Sequence, residues 1–388
     1  MKDLRTPHRI LAAAFLCSLP LSTAFSNVFF LMLAIVTLIQ RRTMWPIFVD
    51  RLRSPFAFAA MLFVAWNALT LLWSKDVPGG VEALSAQRVL LLPLFWPSSA
   101  HHSWRYGLVF GTAVAGLCSV FTLIGMEIPG VQVFEGRIIP FQHPIVLGSL
   151  CAAGLCLSVD GWSLASYKMR IILTIAVGLT LCALLMSGSR SGLLASIFGV
   201  AICGVVSHRQ VRFALVIGAI FAVVLALTQY RMIEQRWSSA WHQAAQWRES
   251  PESSAGWRIA ALNAAWEVGS TRPWTGAGYG GVRSVISEDH PVRAQKERFS
   301  PEREGTPLNL HNVWANAFAR TGIPGIALLV GMCVCALVSL RHTASIHQAS
   351  GFGLLAVWGM LGLFDTALGT GVTLSILGLA MARRATPN

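Results

Sequence analysis

The stretch HNVWANAFARTGIPGIALLVGMCVCALVSL, residues 311–340, decides the fold because a polar entrance leads directly into a long apolar run. As a helix, the apolar run is long enough to cross the hydrocarbon core of a bilayer. The only long hydrophilic segment of the chain, roughly residues 230–310, lies immediately before it. His311 therefore lies at the start of a membrane span. A titratable side chain is energetically unfavourable there, so its presence indicates a functional role. The arrangement favours chemistry at a membrane surface.

Composition places the chain among polytopic membrane proteins. Of its 388 residues, 54% are hydrophobic and only 12% are charged. We expect an all-α fold of about 12 transmembrane helices, forming a single integral membrane domain over residues 1–388. The segment 230–310 is predicted to be one large loop inserted between transmembrane helices 9 and 10. The predicted spans are 9–25, 26–40, 55–74, 82–98, 106–127, 143–160, 170–187, 190–207, 212–229, 311–340, 350–366 and 368–382.

The positive charge of the chain is distributed unevenly along these spans. A net charge of +13 is compatible with a nucleic-acid partner, but topology offers another explanation. If the spans alternate from a cytoplasmic N-terminus, the cytoplasmic segments hold half of the Lys and Arg residues but only Asp3, Asp50 and Asp160 of the acidic ones. This asymmetry is the positive-inside pattern of membrane proteins. It predicts cytoplasmic N- and C-termini, an outward-facing 230–310 loop and no nucleic-acid partner.

The eight cysteines all fall within predicted spans, and none lies in the large loop. Their positions predict neither a disulfide framework nor a cysteine-rich zinc site. They are interpreted as small apolar packing residues.

The large loop carries helical patterns of its own. Over residues 231–248, apolar residues recur at four-residue spacing, which predicts an amphipathic helix whose Trp237 and Trp241 suit the headgroup layer. A second helix is predicted over residues 257–268. The glycine-rich run 276–281 that follows is not a phosphate-binding loop, because it lacks the preceding strand and the Lys-Ser/Thr ending.

Four arginines are predicted to lie on the outer face with His311. Guanidinium groups suit a bidentate grip on phosphate oxygens, and each charge-assisted hydrogen bond contributes about 1.5–3 kcal/mol. Each arginine also has a simpler interpretation as a headgroup contact, a helix-start residue or an interfacial anchor. The cluster nevertheless predicts a pyrophosphate site. Its members are Arg88 near the outer end of the fourth span, Arg137 in the loop after the fifth, Arg190 in the turn SGSRSG (187–192) and Arg258 at the start of the second loop helix.

The motif His311-Asn312, nine residues, Gly322, two residues, Gly325 resembles the signature of the O-antigen ligases, in the bacterial O-antigen ligase/polymerase superfamily. The SGSRSG turn, with Ser189 before its arginine, also resembles that superfamily. So do the arginine-initiated loop helix leading into a glycine-rich turn and the twelve-span layout with one large outer loop. The resemblance covers essentially the whole chain.

The resemblance implies an O-antigen ligase, a glycosyltransferase of the bacterial inner membrane whose active site faces the periplasm. Such an enzyme moves O-antigen polysaccharide from undecaprenyl pyrophosphate to a sugar hydroxyl of lipid A–core in lipopolysaccharide biosynthesis. His311 is then the catalytic base, the four arginines bind pyrophosphate, and Asn312, Gly322, Gly325 and Ser189 support the motif. Because the donor carries its own leaving group, no nucleotide, metal or other cofactor is expected. The implied partners are the lipid-linked donor, the lipid A–core acceptor and membrane lipids.

Three alternatives stay open. His311 could orient the pyrophosphate or the acceptor instead of accepting a proton. The chain could be an O-antigen polymerase of the same superfamily, although its loop 128–142 is short for one. It could also be a twelve-span transporter of lipid-linked glycans, although neither a twofold repeat nor buried mid-span charges are evident.

One residue departs from the family pattern. Arg320 stands where an acidic residue is common in the superfamily. In a straight helix Arg320 would lie about 180° around the axis from His311, so we expect it to point away from the site.

Overall fold

A computed structural model gives the structure of residues 5–91, 106–134, 136–207, 230–249, 251, 253–292, 308–341 and 345–364, and these are mostly helical. Short 3₁₀ helices cover Thr70–Trp73, Ala86–Leu91 and Gly281–Ser284. The strands β1 (Val131–Phe134) and β2 (Arg137–Pro140) form an antiparallel hairpin. The α-helices are α1 (Arg5–Ser18), α2 (Thr23–Ile39), α3 (Arg41–Leu52), α4 (Pro55–Leu69), α5 (Val77–Ser85), α6 (Tyr106–Leu123), α7 (Pro144–Leu164), α8 (Tyr167–Ser187), α9 (Arg190–Val206), α10 (Tyr230–Ala245), α11 (Ser254–Thr271), α12 (Val313–Arg341) and α13 (Ser345–Phe364).

Among the described helices, five segments are long and apolar enough to cross a membrane. The chain is therefore a helical membrane protein, as predicted. The expected total of twelve spans stays a prediction, since the segments 212–229 and 368–382 lie outside the described residues. The five segments are Pro55–Trp73, Tyr106–Leu123, Pro144–Ser163, Tyr167–Ser187 and Val313–Arg341, and three shorter apolar helices cover Thr23–Ile39, Arg190–Val206 and Gln348–Phe364.

The boundary predicted between the first two spans, at residues 25 and 26, is wrong. α1 already ends at Ser18, and α2 begins at Thr23. The Ser22 hydroxyl caps α2 by accepting a hydrogen bond from the amide of Phe25 at 3.4 Å. A side-chain cap of this kind starts a helix, and apolarity alone did not locate it.

The fourth predicted span, 82–98, is not one continuous α-helix over its described part. The chain forms α5 and then changes to the 3₁₀ helix Ala86–Leu91. Gln87 in that 3₁₀ helix is buried, and its side-chain carbonyl accepts a hydrogen bond from the Asn67 amide of α4 at 3.2 Å. A buried amide with a partner on a neighbouring helix fixes the local path, which the hydropathy of the segment did not reveal. Residues 92–98 lie outside the described part of the chain.

α7 forms the centre of the bundle, because 82% of its apolar window is buried. It contacts α6, α8, α9 and α13. Small residues let neighbouring helices approach closely, as where Gly116 of α6 lies against the backbone of Leu179 in α8. The hydroxyls of Thr112 and Thr180 join the same two helices at 2.9 Å. Close backbone approach and interhelical hydrogen bonds associate helices where lipid removes the hydrophobic driving force.

α12 is neither continuous nor as long as the predicted span 311–340. His311 lies before its first residue, and Gly322 interrupts it with φ 71° and ψ −167°. Only glycine readily adopts such backbone angles. Pro324, two residues later, has no amide hydrogen to donate to the carbonyl of Arg320. The interruption therefore leaves backbone groups that need partners outside the helix.

The glycine-rich segment 273–278 of the large loop provides those partners. The amides of Ala277 and Gly278 donate to the carbonyls of Ala319 and Arg320, at 2.8 and 3.0 Å. In the opposite direction, the Ile323 amide donates to the Pro273 carbonyl at 2.7 Å. The loop and the kink in α12 thus form one hydrogen-bonded unit.

The two helices predicted in the large loop are confirmed. The predicted segment 231–248 corresponds to α10, and the predicted segment 257–268 lies within the longer α11. The short loop 128–142 contains the β-hairpin, which the sequence patterns did not indicate, so within the described residues the regular structure is helical except for these two strands.

Candidate functional site

The turn that carries Arg190 forms as the sequence predicts. Only Gly188 and Ser189 connect the end of α8 to the start of α9. The Ser189 hydroxyl caps α9 by accepting a hydrogen bond from the Gly192 amide at 3.2 Å. Arg190, the first residue of α9, is half-buried and adds its charge to the positive end of the helix dipole. Helix termini of this kind suit anions.

The packing of α9 on α13 brings Arg190 towards the end of α13. The Cys203 thiol lies 3.2 Å from the carbonyl of Ala349, and Gly199, one turn earlier, packs against Gly353 and Val357. The two helices are therefore antiparallel. Continued to the first residue of α9, this register sets Arg190 level with the last residues of α13.

Arg258 contacts the same end of α13. The Nε atom of its guanidinium donates a hydrogen bond to the carbonyl of Phe364 at 3.1 Å. The prediction that Arg258 begins the second loop helix is wrong by about one turn, because α11 starts at Ser254 behind a cap from Ser253. Its position within the helix points the guanidinium towards the backbone carbonyls of the last described turn of α13.

Asn312 contacts the preceding carbonyl of α13. Its Nδ2 atom donates to Leu363 at 3.0 Å. Its Oδ1 atom accepts hydrogen bonds from the amides of Trp314 and Ala315, both at 2.9 Å, and so caps α12. Arg258 and Asn312 thus bind two successive carbonyls, which brings the second loop helix, α12 and α13 together. We call this end of the bundle, with Arg190, Arg258 and Asn312, the site end.

His311 precedes the cap of α12 in an unusual backbone conformation. Its φ is 48°, in the left-handed region that side chains other than glycine rarely adopt. The amide of His311 donates to Oδ1 of Asn309 at 2.8 Å. The residue is half-buried, at the junction of the large loop and the membrane bundle. Adjacent in sequence to Asn312, it shares the site end with that residue.

Arg320 belongs to a structural contact within the loop. The prediction that it points away rested on a straight helix containing His311, and that premise is wrong. The Arg320 side chain is buried, and its NH2 donates to the carbonyl of Leu308 at 2.8 Å. Its guanidinium also lies 5.1 Å from the ring centroid of Tyr279. Arg320 therefore joins α12 to both arms of the large loop.

Tyr279 extends this contact to the fourth predicted span. Gln87 donates a hydrogen bond to its phenol oxygen. Burial raises the pKa of the Tyr279 phenol, and the nearby Arg320 opposes that rise only in part. Tyr279 therefore stays neutral at physiological pH. Arg88, the next residue along from Gln87, lies in the same 3₁₀ helix, and its side chain is outside the described part of the chain.

Arg137 lies on the hairpin at the first position of β2. It pairs with Phe134 across the hairpin, and its side chain is half-buried. β2 packs against α6 and α8, and the last residue of α8 leads into the Arg190 turn. Gly148, in the first turns of α7 shortly after β2, lies against Ser189, so Arg137 occupies the same end of the bundle as Arg190.

The motif glycines Gly322 and Gly325 serve the kink of α12. A methyl group at Gly322 would lie 2.6 Å from the carbonyl oxygen of Pro273, and one at Gly325 would overlap the hydroxyl of Thr321. Both positions thus require the absence of a side chain for packing reasons. The spacing of the motif is explained by the structure of the kink rather than by ligand binding.

The sequence analysis identified Asn312 as part of the motif but missed Asn309 and Asn316, on either side of it. Asn309, Asn312 and Asn316 all hydrogen-bond to backbone within residues 308–316. The available signal was their spacing: three amides within eight residues at the mouth of an apolar span are unusual, because unpaired amides are costly there.

The family model for O-antigen ligase matches residues 175–330. The match runs from α8 through the large loop into α12, and it contains Arg190, Arg258 and His311. It supports membership of the O-antigen ligase superfamily and confirms the resemblance inferred from the motif over this part of the chain. No curated protein matches the chain.

Proposed function

We propose that this chain, whose residues 175–330 match the O-antigen ligase family, is a lipid A–core ligase of the bacterial inner membrane. It transfers O-antigen polysaccharide from undecaprenyl pyrophosphate to a sugar hydroxyl of lipid A–core. Both lipid substrates reach a site on the periplasmic face, and both termini of the chain are cytoplasmic. The positive-inside charge pattern supports this orientation.

One observation carries the proposal. Arg258 and Asn312 bind the adjacent carbonyls of Phe364 and Leu363, and the helix headed by Arg190 packs antiparallel on the same helix α13. Two arginines predicted to bind pyrophosphate and the motif residue next to His311, all far apart in sequence, therefore contact or approach the same part of α13. This convergence supports a single site for one diphosphate.

The reaction follows from the chemistry of the side chains. The acceptor hydroxyl oxygen forms a bond to the anomeric carbon of the donor, and the bond from that carbon to the pyrophosphate oxygen breaks. The imidazole of His311 accepts the hydroxyl proton as general base. The electron pair of the broken bond leaves with the pyrophosphate, whose growing charge Arg190 and Arg258 stabilise, assisted by Arg137 and Arg88. Direct displacement inverts the configuration at the anomeric carbon.

Exposed tryptophans suggest how the large loop meets the membrane. Trp241 of α10 is 77% exposed, and Trp266 and Trp274 are exposed to a similar extent. Amphipathic rings at such positions suit the headgroup layer. α10 then lies along the outer leaflet and borders a lateral opening for the two lipid substrates.

Reconstitution tests the proposal and its alternatives. Purified protein is combined with a carrier-linked glycan and lipid A–core, without nucleotide or added metal. Transfer to lipid A–core supports the ligase, and lengthening of the glycan on its carrier identifies a polymerase instead. If the protein forms neither product but moves the carrier-linked glycan across the membrane of vesicles, the enzyme assignment is wrong and the protein is a transporter.

Variants test the assigned residues in the same assay. We expect His311→Ala to lower turnover about 100- to 10,000-fold, the usual contribution of a general base. Arg190→Ala should lower transfer at limiting donor by about 10- to 100-fold, because one charge-assisted contact to pyrophosphate is lost. The control is Arg341→Ala, an exposed arginine at the other end of α12, which should transfer like the unchanged protein. Full turnover by His311→Ala would remove His311 from the base role.

A further inference from the structure

His311 sits between two peptide groups that a single buried side chain holds. The Nδ2 atom of Asn316 donates to the carbonyl of Asn312 at 2.9 Å, one residue after His311. The Oδ1 atom of Asn316 accepts a hydrogen bond from the amide of Leu310 at 3.4 Å, one residue before it. The Asn316 side chain therefore connects the peptide group before Leu310 to the peptide group after Asn312, and His311 lies in the middle of the segment between them.

The backbone conformation of His311 explains why these hydrogen bonds from Asn316 are needed. A φ of 48° is unfavourable for a residue with a side chain, so the surrounding structure has to impose it. The two fixed peptide groups lie one residue beyond His311 on each side, so together they restrict the backbone torsions of residues 310–312, which include the two of His311. The direction in which the imidazole leaves the backbone is set by those torsions.

Asn316 is also too deeply placed to meet a substrate itself. Its side chain is 3% exposed, in the first turns of α12, with Leu310 and Ala319 buried close by in sequence. Capping of α12 is already supplied by Oδ1 of Asn312. A second amide at position 316 is therefore not needed to start the helix.

We propose that Asn316 is a positioning residue that holds the backbone of His311 in its left-handed conformation and thereby aims the imidazole at the acceptor hydroxyl. The inference rests on the proposed function, since it concerns the same base. It adds a residue outside the His-Asn…Gly…Gly motif to the catalytic apparatus, acting through His311 without touching the reacting atoms.

The first test separates turnover from binding. Asn316→Ala should lower kcat about 100-fold, the effect of displacing a reacting group by roughly an ångström, and leave the donor KM within about threefold. Thr180→Val is the matched control, because it removes an equally buried hydrogen bond, to Thr112, from helices away from His311. It should lower thermal stability to a similar extent and keep kcat. An unchanged kcat in Asn316→Ala, or an equal loss in Thr180→Val, overturns the inference.

The second test uses a near-isosteric variant. A protonated Asp at position 316 can accept from Leu310 and donate to Asn312 as the amide does, whereas the ionised carboxylate cannot donate. Because position 316 is buried, the pKa of an Asp there should lie well above its ordinary value, so the kcat of Asn316→Asp relative to the unchanged protein, measured at each pH, should rise at least about tenfold from pH 8 to pH 5.5. A flat ratio overturns the inference, because a merely structural defect does not follow this protonation. Failure of both variants to insert would make Asn316 a folding residue and would also overturn it.

The two proposals fail in different ways. If the unchanged protein transfers no glycan, or if His311→Ala transfers fully, the proposed function is wrong. If the unchanged protein is active and His311→Ala is not, yet Asn316→Ala has normal kcat, only the positioning role is wrong.

Discussion

The two halves of α12 lie in different surroundings. Before Gly322, the buried side chains include Asn316, Arg320 and Thr321, and the first two hydrogen-bond to the segment that carries His311. Beyond Gly322, apolar side chains such as Val334, which is 50% exposed, face outward as in a lipid-facing span. One helix thus combines a polar half that organises the site end with an apolar half that anchors it.

The kink at Gly322 makes this division possible. A continuous helix would satisfy its own carbonyls and leave the glycine-rich segment 273–278 without partners. The break instead turns the carbonyls of Ala319 and Arg320 towards the amides of Ala277 and Gly278. The large loop is therefore tied to the membrane bundle by backbone hydrogen bonds at the kink. A rigid attachment of this kind suits a site that must hold its geometry within a fraction of an ångström.

Among variants that test the difference between the two halves of α12, Gly322→Ala is expected to cause the largest loss of transfer and stability. Its backbone angles lie in a region that costs about 1–3 kcal/mol for a non-glycine residue, and the new methyl group would collide with Pro273. The variant should lose transfer almost completely and unfold at a lower temperature. Thermal unfolding in detergent and the transfer assay measure both effects.

The matched control lies in the apolar half of the same helix. A methyl group at Gly331 meets nothing within 4 Å, and helix propensity favours Ala over Gly. Gly331→Ala should therefore retain both transfer and stability. An equal loss in the two variants would show that the halves do not differ as described.

The sequence predicted some of these features and missed others for physical reasons. The turn before Arg190 and the helices α10 and α11 follow from local signals, namely small capping residues and a period near four. The kink in α12 could not be predicted from local signals, because its backbone angles depend on hydrogen-bond partners some 45 residues away in the loop. Gly322 and Pro324 indicate only where a kink can form. The position of Arg320 was predicted from an ideal helix that contained His311, and that basis is lost because His311 has φ 48° and lies before the first residue of α12.

A smaller effect is expected from Trp66→Phe. The indole of Trp66 in α4 donates to the carbonyl of Thr321, beside the kink, at 3.0 Å. Removal of this hydrogen bond should lower the free energy of unfolding by about 1 kcal/mol and leave the donor KM unchanged. Thermal unfolding measures the change. A loss as large as that of Gly322→Ala would mean that the indole, rather than the loop backbone, holds the kink.

Binding of undecaprenyl pyrophosphate to the purified protein tests the central claim most directly, because it isolates the arginines from the base. Arg190→Ala and Arg258→Ala should each weaken binding about 10- to 100-fold. His311→Ala should bind the lipid like the unchanged protein while its turnover falls about 100- to 10,000-fold. Unchanged binding in either arginine variant would contradict a shared pyrophosphate site at the end of α13.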